Sequence, residues 1–247
     1  MWLNFILLFL LTLSPWPVFS FLPKNNQTLF KLILSFSGSY LFSITLLHIL
    51  PEIYTHASNS FVIGVFILIG FFLQLILSFF AQGVEHGHLH HAHAHDTHVH
   101  ALPLSVIFSI SLHAFLEGNM LVHPYHEHDM HENNGLMIGM VLHKIPEAFA
   151  LLSILYGYKS NRAFTYAVFV AYALLSPIGM MLGNYAYVME WLSPTAIGYV
   201  FAIIAGNFMH ISTIIFFESS PRHELKTTST LVKIAGAVCA VCFEMFV

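Results

Sequence analysis

The chain has 247 residues, of which 57% are hydrophobic and only 8% are charged. Soluble domains carry about 25% charged residues, so this composition excludes an ordinary soluble protein and indicates an integral membrane protein. The formal net charge of −4 is uninformative because 18 histidines can titrate or bind metal. The eight Lys and Arg residues are too few and too scattered to form a nucleic-acid-binding surface.

Eight apolar runs are long enough to cross a membrane, since a spanning helix needs roughly 20 apolar residues. The first is interpreted as a retained helix rather than a signal peptide, because no Lys or Arg precedes its apolar core. We predict an all-α integral membrane protein in which residues 1–247 form a single transmembrane domain. The predicted spans are 2–21, 29–50, 61–81, 102–122, 135–156, 163–183, 196–217 and 231–246.

The basic residues predict the orientation of these spans. With eight helices, every Lys and Arg outside the fifth run falls on the same side of the membrane. Cytoplasmic loops are enriched in Lys and Arg, so that side is predicted to be cytoplasmic and both termini extracytoplasmic, in a plasma or inner membrane. The residues that carry this prediction are Lys24, Lys31, Lys159, Arg162, Arg222, Lys226 and Lys233.

A histidine-rich segment, residues 82–101, joins the third and fourth spans and is predicted to be cytoplasmic. Histidine-rich tracts are typical of metal binding, but the irregular spacing predicts weak and fluctuating coordination rather than one defined site. A solvated polar linker is the alternative. The histidines are His86, His88, His90, His91, His93, His95, His98 and His100.

A second polar segment, residues 123–134, is predicted to be extracellular. It carries four histidines, three carboxylates and no Lys or Arg. This charge pattern could concentrate cations at the outer mouth of a transport pathway, although a solvated loop explains any single residue in it equally well.

Two apolar runs each contain a histidine and a glutamate four residues apart: His113 with Glu117, and His143 with Glu147. This spacing places both side chains on one face of a helix. Such groups are costly at membrane depth and usually mark an ion or substrate pathway. A single histidine there is more often a hydrogen-bonded core residue, but two such pairs in successive spans favour a site for a divalent metal such as zinc.

Lys144 lies beside this predicted site. It precedes Glu147 by three residues and can therefore pair with that carboxylate. Its ammonium would take the space and charge otherwise available to a second metal, so we predict a single-metal site. The alternative is that Lys144 extends to the membrane interface.

Other polar residues in the spans predict the two ends of a pathway. His48 and Glu52 are four residues apart at the predicted outer end of the second span. Asn207, His210 and Glu218 follow one another along the seventh span, with Glu218 at its inner end. Each of these residues, taken alone, is equally compatible with a structural role such as an interfacial polar cap.

The chain resembles the ZIP family of zinc and iron transporters (solute carrier family 39), and in particular its compact members of bacterial type. The resemblance covers essentially the whole chain, and the span-five motif is its most specific part. The motifs that carry it are His113-x-x-x-Glu117-Gly118, His143-Lys144-x-x-Glu147-Ala148, His48-x-x-Pro51-Glu52 and Ser176-Pro177-x-Gly179-x-x-x-Gly183.

This resemblance implies a ZIP-type 3+2+3 bundle in which the first and last three spans form an inverted repeat. It also implies that divalent metal binds between spans four and five and moves toward the cytoplasm. The primary ligands would then be His113, Glu117, His143 and Glu147.

Many family members have a second metal site next to the first. Asn often follows the first histidine there, Asp often follows the second, and a Glu can precede the span-six proline. Here these positions are Ala114, Lys144 and Ser176. This departure agrees with the single-metal prediction.

The function predicted from the sequence is import of Zn²⁺, with Fe²⁺ or Mn²⁺ also accepted, by a protein that is not an enzyme and has no organic cofactor. Its predicted partners are divalent ions and the lipid bilayer; a homodimer is left open. One alternative is an exporter of the cation-diffusion type, which usually has six spans and His-x-x-x-Asp pairs. Others are a membrane di-iron hydroxylase or desaturase, although His88-x-His90-His91 is a poor match to its histidine boxes, and a metal sensor or storage protein.

Overall fold

The computed structural model describes residues 2–19, 27–81, 104–122, 133–157, 161–218 and 227–246. All regular elements within these ranges are helical, which confirms the predicted all-α membrane class. The histidine-rich segment 82–101 lies outside the described residues, as does the outer segment apart from its last two positions.

The described part of the chain contains the following helices in chain order. In the first run, α1 ends at Leu13 and a short second helix follows. The helices are α1 (Trp2–Leu13), α2 (Pro15–Phe19), α3 (Gln27–Ile44), α4 (Leu50–Thr55), α5 (Ser60–Ala81), α6 (Leu104–Asn119), α7 (Asn133–Gly157), α8 (Arg162–Val188), α9 (Pro194–Glu218) and α10 (Thr227–Phe246).

Within the described residues, six helical segments are long and apolar enough to cross a membrane. They are Leu29–Thr55, Ser60–Ala81, Gly135–Tyr156, Arg162–Val188, Pro194–Phe216 and Thr227–Met245. The helices of the first and fourth predicted spans are shorter: α1 has 12 residues and α6 has 16. The count of eight spans therefore stays a prediction.

The second span continues past its predicted end at residue 50. A π-helical turn, Thr45–Ile49, connects α3 to α4, which runs through Pro51 to Thr55. Proline has no backbone N–H and so cannot bond to the carbonyl four residues earlier. A local widening of the helix at this point allows the chain to continue, and it places His48 within the widened turn.

Helix α5 faces lipid along much of its length. Phe61, Leu68, Phe72 and Phe79 have exposed fractions of 80%, 57%, 56% and 78%. Such a large apolar surface would be an aggregation hazard in water, whereas hydrocarbon solvates it. The exposed side of α5 therefore agrees with a membrane location.

The opposite side of α5 packs closely on α9 through two glycines. A Cβ atom added to Gly70 would lie 1.9 Å from the carbonyl oxygen of Ile203, and one added to Gly206 would lie 2.0 Å from that of Ile67. Small residues let membrane helices approach until their backbones touch. The contact is reciprocal and fixes α5 against α9.

Helices α6 and α8 form a second close pair. A Cβ atom on Gly118 would lie 1.9 Å from the carbonyl oxygen of Ser176, and one on Gly179 would lie 2.2 Å from that of Phe115. The Ser176 hydroxyl also donates to the carbonyl of Ala114 at 2.8 Å. These contacts fix the α6 turn that carries His113 and Glu117.

We expect Gly70→Ala to destabilise the protein by about 1–3 kcal/mol, because the added methyl group would overlap the α9 backbone. The matched control is Gly64→Ala on the same helix, where the nearest heavy atom to an added Cβ is the Tyr54 hydroxyl at 3.5 Å. Thermal unfolding in detergent, followed by loss of the monodisperse size-exclusion peak, measures the difference. Equal stability of the two variants would contradict the close-packing argument.

Candidate metal site

The two predicted His/Glu pairs meet between α6 and α7. His113 Nε2 lies 4.0 Å from Glu117 Oε2 on its own helix and 3.9 Å from Glu147 Oε1 across the interface. The imidazole rings of His113 and His143 are nearly perpendicular, with centroids 6.0 Å apart. All four side chains are at most 1% exposed. The structure therefore brings together four residues that the sequence places on two separate helices.

The spacing of these donor atoms suits one metal ion. Ligand atoms from His113, Glu117 and His143 all lie within 4.8 Å of one another. Two ligands of a tetrahedral zinc ion, each at about 2.1 Å from the metal, are separated by about 3.4 Å. A contraction on the order of 1 Å would bring these donors around one ion.

The polar atoms of the site support the same interpretation. Among the described residues, neither ring nitrogen of His113 or His143 has a hydrogen-bond partner, and the same is true of Glu117 Oε1 and Glu147 Oε1. Buried polar atoms are hydrogen-bonded in the great majority of cases. A cation bound among these lone pairs would satisfy them.

Lys144 lies inside the site and pairs with both carboxylates. Its ammonium donates to Glu147 Oε2 at 2.7 Å and also contacts Glu117 Oε2. The side chain is 1% exposed, and Nζ lies 5.2 Å from the ring centre of Tyr172. Breaking such a buried ion pair by removing one partner is strongly destabilising. The lysine thus compensates one of the two negative charges that the site would otherwise bury.

The charge balance favours one divalent ion over two. Two carboxylates and one ammonium give the site a net charge of −1. One divalent ion changes this to +1, whereas two would change it to +3 in an apolar environment that disfavours excess charge. Of the second-site positions named above, Ser176 and Ala114 are in contact, since the Ser176 hydroxyl donates to the Ala114 carbonyl.

Apolar layers close the site at both ends. Met120 and Met140, one turn beyond Glu117 and one turn before His143, belong to one buried cluster. Ile110 and Leu151 occupy the equivalent positions on the other side, in a second cluster. These four residues are at most 4% exposed. Among the described residues, the site is thus flanked by buried apolar side chains in both directions along α6 and α7.

His48 and Glu52 form a separate polar group at the end of the second span. His48 Nε2 lies 3.8 Å from Glu52 Oε2, and His48 Nδ1 lies 3.2 Å from Glu244 Oε2 of α10. The sequence interpretation missed Glu244. A carboxylate inside the last apolar run was the available signal, but nothing in the sequence indicates which helix it would face.

Asn207 and His210 lie on the side of α9 that packs against α5, and both are at most 2% exposed. With its amide nitrogen turned toward α5, Asn207 donates to the Gly70 carbonyl at 2.5 Å. The His210 ring packs edge-on against Phe71 with centroids 4.9 Å apart. Glu218 is the last residue of α9. The role of Asn207, His210 and Glu218 at the inner end of a transport pathway stays a prediction.

Comparison with known protein families gives one match over most of the chain. A family model described as "ZIP Zinc transporter" matches residues 85–243. The matched region includes both His/Glu pairs and Lys144. No curated protein matches the chain.

We expect Lys144→Met to lower the unfolding temperature of the metal-free protein, because two buried carboxylates lose their counter-charge; the cost of breaking such a pair is about 3–5 kcal/mol. Saturating Zn²⁺ should raise the unfolding temperature more in this variant than in the wild type, since the ion supplies the missing positive charge. Differential scanning fluorimetry in detergent, with and without Zn²⁺, measures both effects.

Lys31→Met, at an exposed lysine of α3, is the matched control and should change neither quantity. A metal-free Lys144→Met protein as stable as the wild type would show that the lysine does not stabilise the carboxylates.

Proposed function

The chain belongs to the ZIP zinc transporter family, and from this membership we propose that it imports Zn²⁺ through one site formed by His113, Glu117, His143 and Glu147. Membership makes the protein a divalent metal transporter and a multi-pass membrane protein. It also overturns the alternative of a membrane di-iron enzyme, because members of the family are transporters.

One observation carries the proposal for the site. Four imidazole nitrogens are buried at membrane depth beside two carboxylates, with no hydrogen-bond partner for these nitrogens among the described residues. Burying such groups without partners costs free energy, and polar groups of this kind inside a membrane usually mark an ion pathway. A transported cation explains why they are kept there.

The chemistry of the donors favours zinc as the substrate. Imidazole nitrogen together with carboxylate oxygen is a common zinc ligand set. The same donors also bind Fe²⁺ and Mn²⁺, whose selection depends on geometry and availability more than on intrinsic affinity. We therefore propose Zn²⁺ as the main substrate, with Fe²⁺ and Mn²⁺ as secondary ones.

The proposed route runs from the extracytoplasmic side to the cytoplasm, with both termini extracytoplasmic. Ions gather at the 123–134 segment and pass His48 and Glu52 before they reach the central site. They leave past Asn207, His210 and Glu218 to the histidine-rich segment 82–101, whose histidines bind them weakly. The uneven distribution of Lys and Arg supports this orientation.

Transport through such a site needs movement of the helices. Buried apolar residues around Met140 and Ile110 lie on either side of the four ligands, and we propose that they close the site to both sides of the membrane in this conformation. Alternating access requires one layer to open at a time. Throughout this cycle Lys144 keeps one positive charge beside the carboxylates, which limits each cycle to one ion.

The decisive experiment measures Zn²⁺ flux into proteoliposomes that contain a trapped zinc-sensitive dye. Glu147→Ala should reduce the rate below about a tenth of the wild-type value, because it removes a ligand from the central site. Glu190→Ala is the matched control, since Glu190 is an exposed glutamate beyond the end of α8. Deletion of residues 86–100 should not abolish the Zn²⁺ flux.

Absence of flux in the wild-type protein, with zinc still bound stoichiometrically, would overturn the carrier proposal and favour a sensor or storage protein. Flux that is kept in Glu147→Ala would show that the ion takes another route.

The proposed orientation can be tested with single cysteines after Cys239 and Cys242 are replaced by Ala. A membrane-impermeant maleimide should label Trp191→Cys in intact cells, because Trp191 lies just beyond the predicted outer end of α8. It should label Arg162→Cys, at the opposite end of the same helix, only after the membrane is permeabilised. Labelling of Arg162→Cys alone in intact cells would reverse the orientation.

A further inference from the structure

Glu244, near the end of α10, contacts the histidine proposed for the outer end of the pathway. Its Oε2 lies 3.2 Å from His48 Nδ1, and the other ring nitrogen of His48 lies 3.8 Å from Glu52 Oε2. One imidazole is thus placed between two carboxylates. The three residues come from the π-helical turn, α4 and α10.

The two nitrogens of this imidazole have different surroundings. A neutral imidazole carries one N–H and one lone pair. When Nδ1–H donates to Glu244, the lone pair of Nε2 faces the Glu52 carboxylate, which is repulsive unless a positive charge lies between them. Nε2 is buried and has no hydrogen-bond partner among the described residues. A separation of 3.8 Å exceeds by only a few tenths of an ångström the roughly 3.4 Å between two ligands of a tetrahedral zinc ion.

We propose that His48 Nε2 and Glu52 hold a divalent cation at the outer end of the pathway, and that Glu244 is the positioning residue that orients His48 for it. Metal-binding histidines commonly donate their second N–H to a carboxylate, which fixes the tautomer and the ring orientation. Glu244 has this relation to His48. The inference rests on the proposed function, because His48 and Glu52 are part of the proposed pathway.

The surroundings of Glu244 are shaped to hold its carboxylate. A Cβ atom on Gly135, at the start of α7, would lie 3.1 Å from Glu244 Oε1 and 2.9 Å from the Phe243 ring. A glycine there leaves room for the glutamate beside the helix. The Tyr40 hydroxyl donates to the Gly135 carbonyl at 3.2 Å and so fastens α3 to the same turn.

This geometry also places the outer site relative to the central one. Gly135 precedes His143 by eight residues, which corresponds to roughly 12 Å along α7. The buried side chains of Tyr40, Leu136 and Met140 lie in the apolar cluster on this side of the central site. A cation at His48 would therefore bind near the start of α7, away from the central site. A weaker outer site would raise the Zn²⁺ concentration needed for transport.

The test is the Zn²⁺ dependence of flux into proteoliposomes. Glu244→Ala should raise the half-saturating Zn²⁺ concentration about tenfold, the lower end of what loss of such an outer-shell partner costs, and leave the maximal rate unchanged. Glu244→Gln should restore most of the affinity, because its amide oxygen accepts the same hydrogen bond. Glu190→Ala should behave as the wild type.

A double-mutant cycle separates positioning from a general structural role. His48→Ala should also raise the half-saturating concentration, and Glu244→Ala should then add no further change, because there is no ring left to orient. An equal effect of Glu244→Ala with and without His48, or a fall in maximal rate alone, would overturn the proposal. If Glu244→Ala does not fold, Gly135→Ala replaces it in the cycle, because the added methyl group displaces the Glu244 carboxylate. Gly64→Ala is then the control.

Binding measurements keep this proposal separate from the proposed function. Zinc bound per chain is measured by atomic emission after desalting, in wild type and His48→Ala. If the wild type shows no flux but binds about one more zinc ion per chain than His48→Ala, the transport proposal is overturned and the outer site is supported. Wild-type flux with no effect of His48→Ala on zinc binding or on the half-saturating concentration would support the transport proposal and overturn the outer site.

Discussion

The ion pair of Lys144 with Glu117 and Glu147 is the interaction on which the centre of this structure depends. Two carboxylates and two imidazoles are buried between α6 and α7, where no solvent is available to stabilise their charge. The ammonium compensates one negative charge and contacts both helices at once. It therefore allows the four proposed metal ligands to stay together without an ion, and it leaves a single negative charge that would attract a cation.

Rigid placement of the ligands comes from the backbone rather than from the polar site itself. Gly118 and Gly179 bring α6 into backbone contact with α8, and the Ser176 hydroxyl adds a hydrogen bond to the same turn. Membrane helices gain little from burying apolar surface against one another, since lipid is equally apolar. Close packing of small residues supplies the stabilisation instead, and it holds His113 and Glu117 at a defined position opposite α7.

The polar groups along the protein are separated by apolar layers. The central site lies between residues of two buried apolar clusters, while His48, Glu52 and Glu244 form a separate group where the π-helical turn, α4 and α10 meet. A continuous polar channel would let water and other ions pass freely. Discrete sites divided by apolar layers require helix movement for each step, which is the behaviour expected of a carrier.

The sequence by itself determined the class of the protein and the pairs of residues at its centre. Apolar runs of about 20 residues predict membrane helices because the bilayer has a fixed thickness, and the spacing of His113 from Glu117 and of His143 from Glu147 places each pair on one helix face. The interaction of Lys144 with Glu147 was also predictable, because both residues lie within one turn. These features depend on local periodicity alone, and the family match over residues 85–243 agrees with them.

Only the tertiary structure decided which helices meet. The pairing of Lys144 with Glu117 joins α6 to α7, and the contact of Glu244 with His48 joins the last helix to the turn before α4. The burial of Asn207 and His210 against α5 likewise depends on the neighbour of α9. Periodicity shows which residues share a face of a helix but carries no information about the partner of that face, because the partner is selected by steric fit between small residues far apart in the chain.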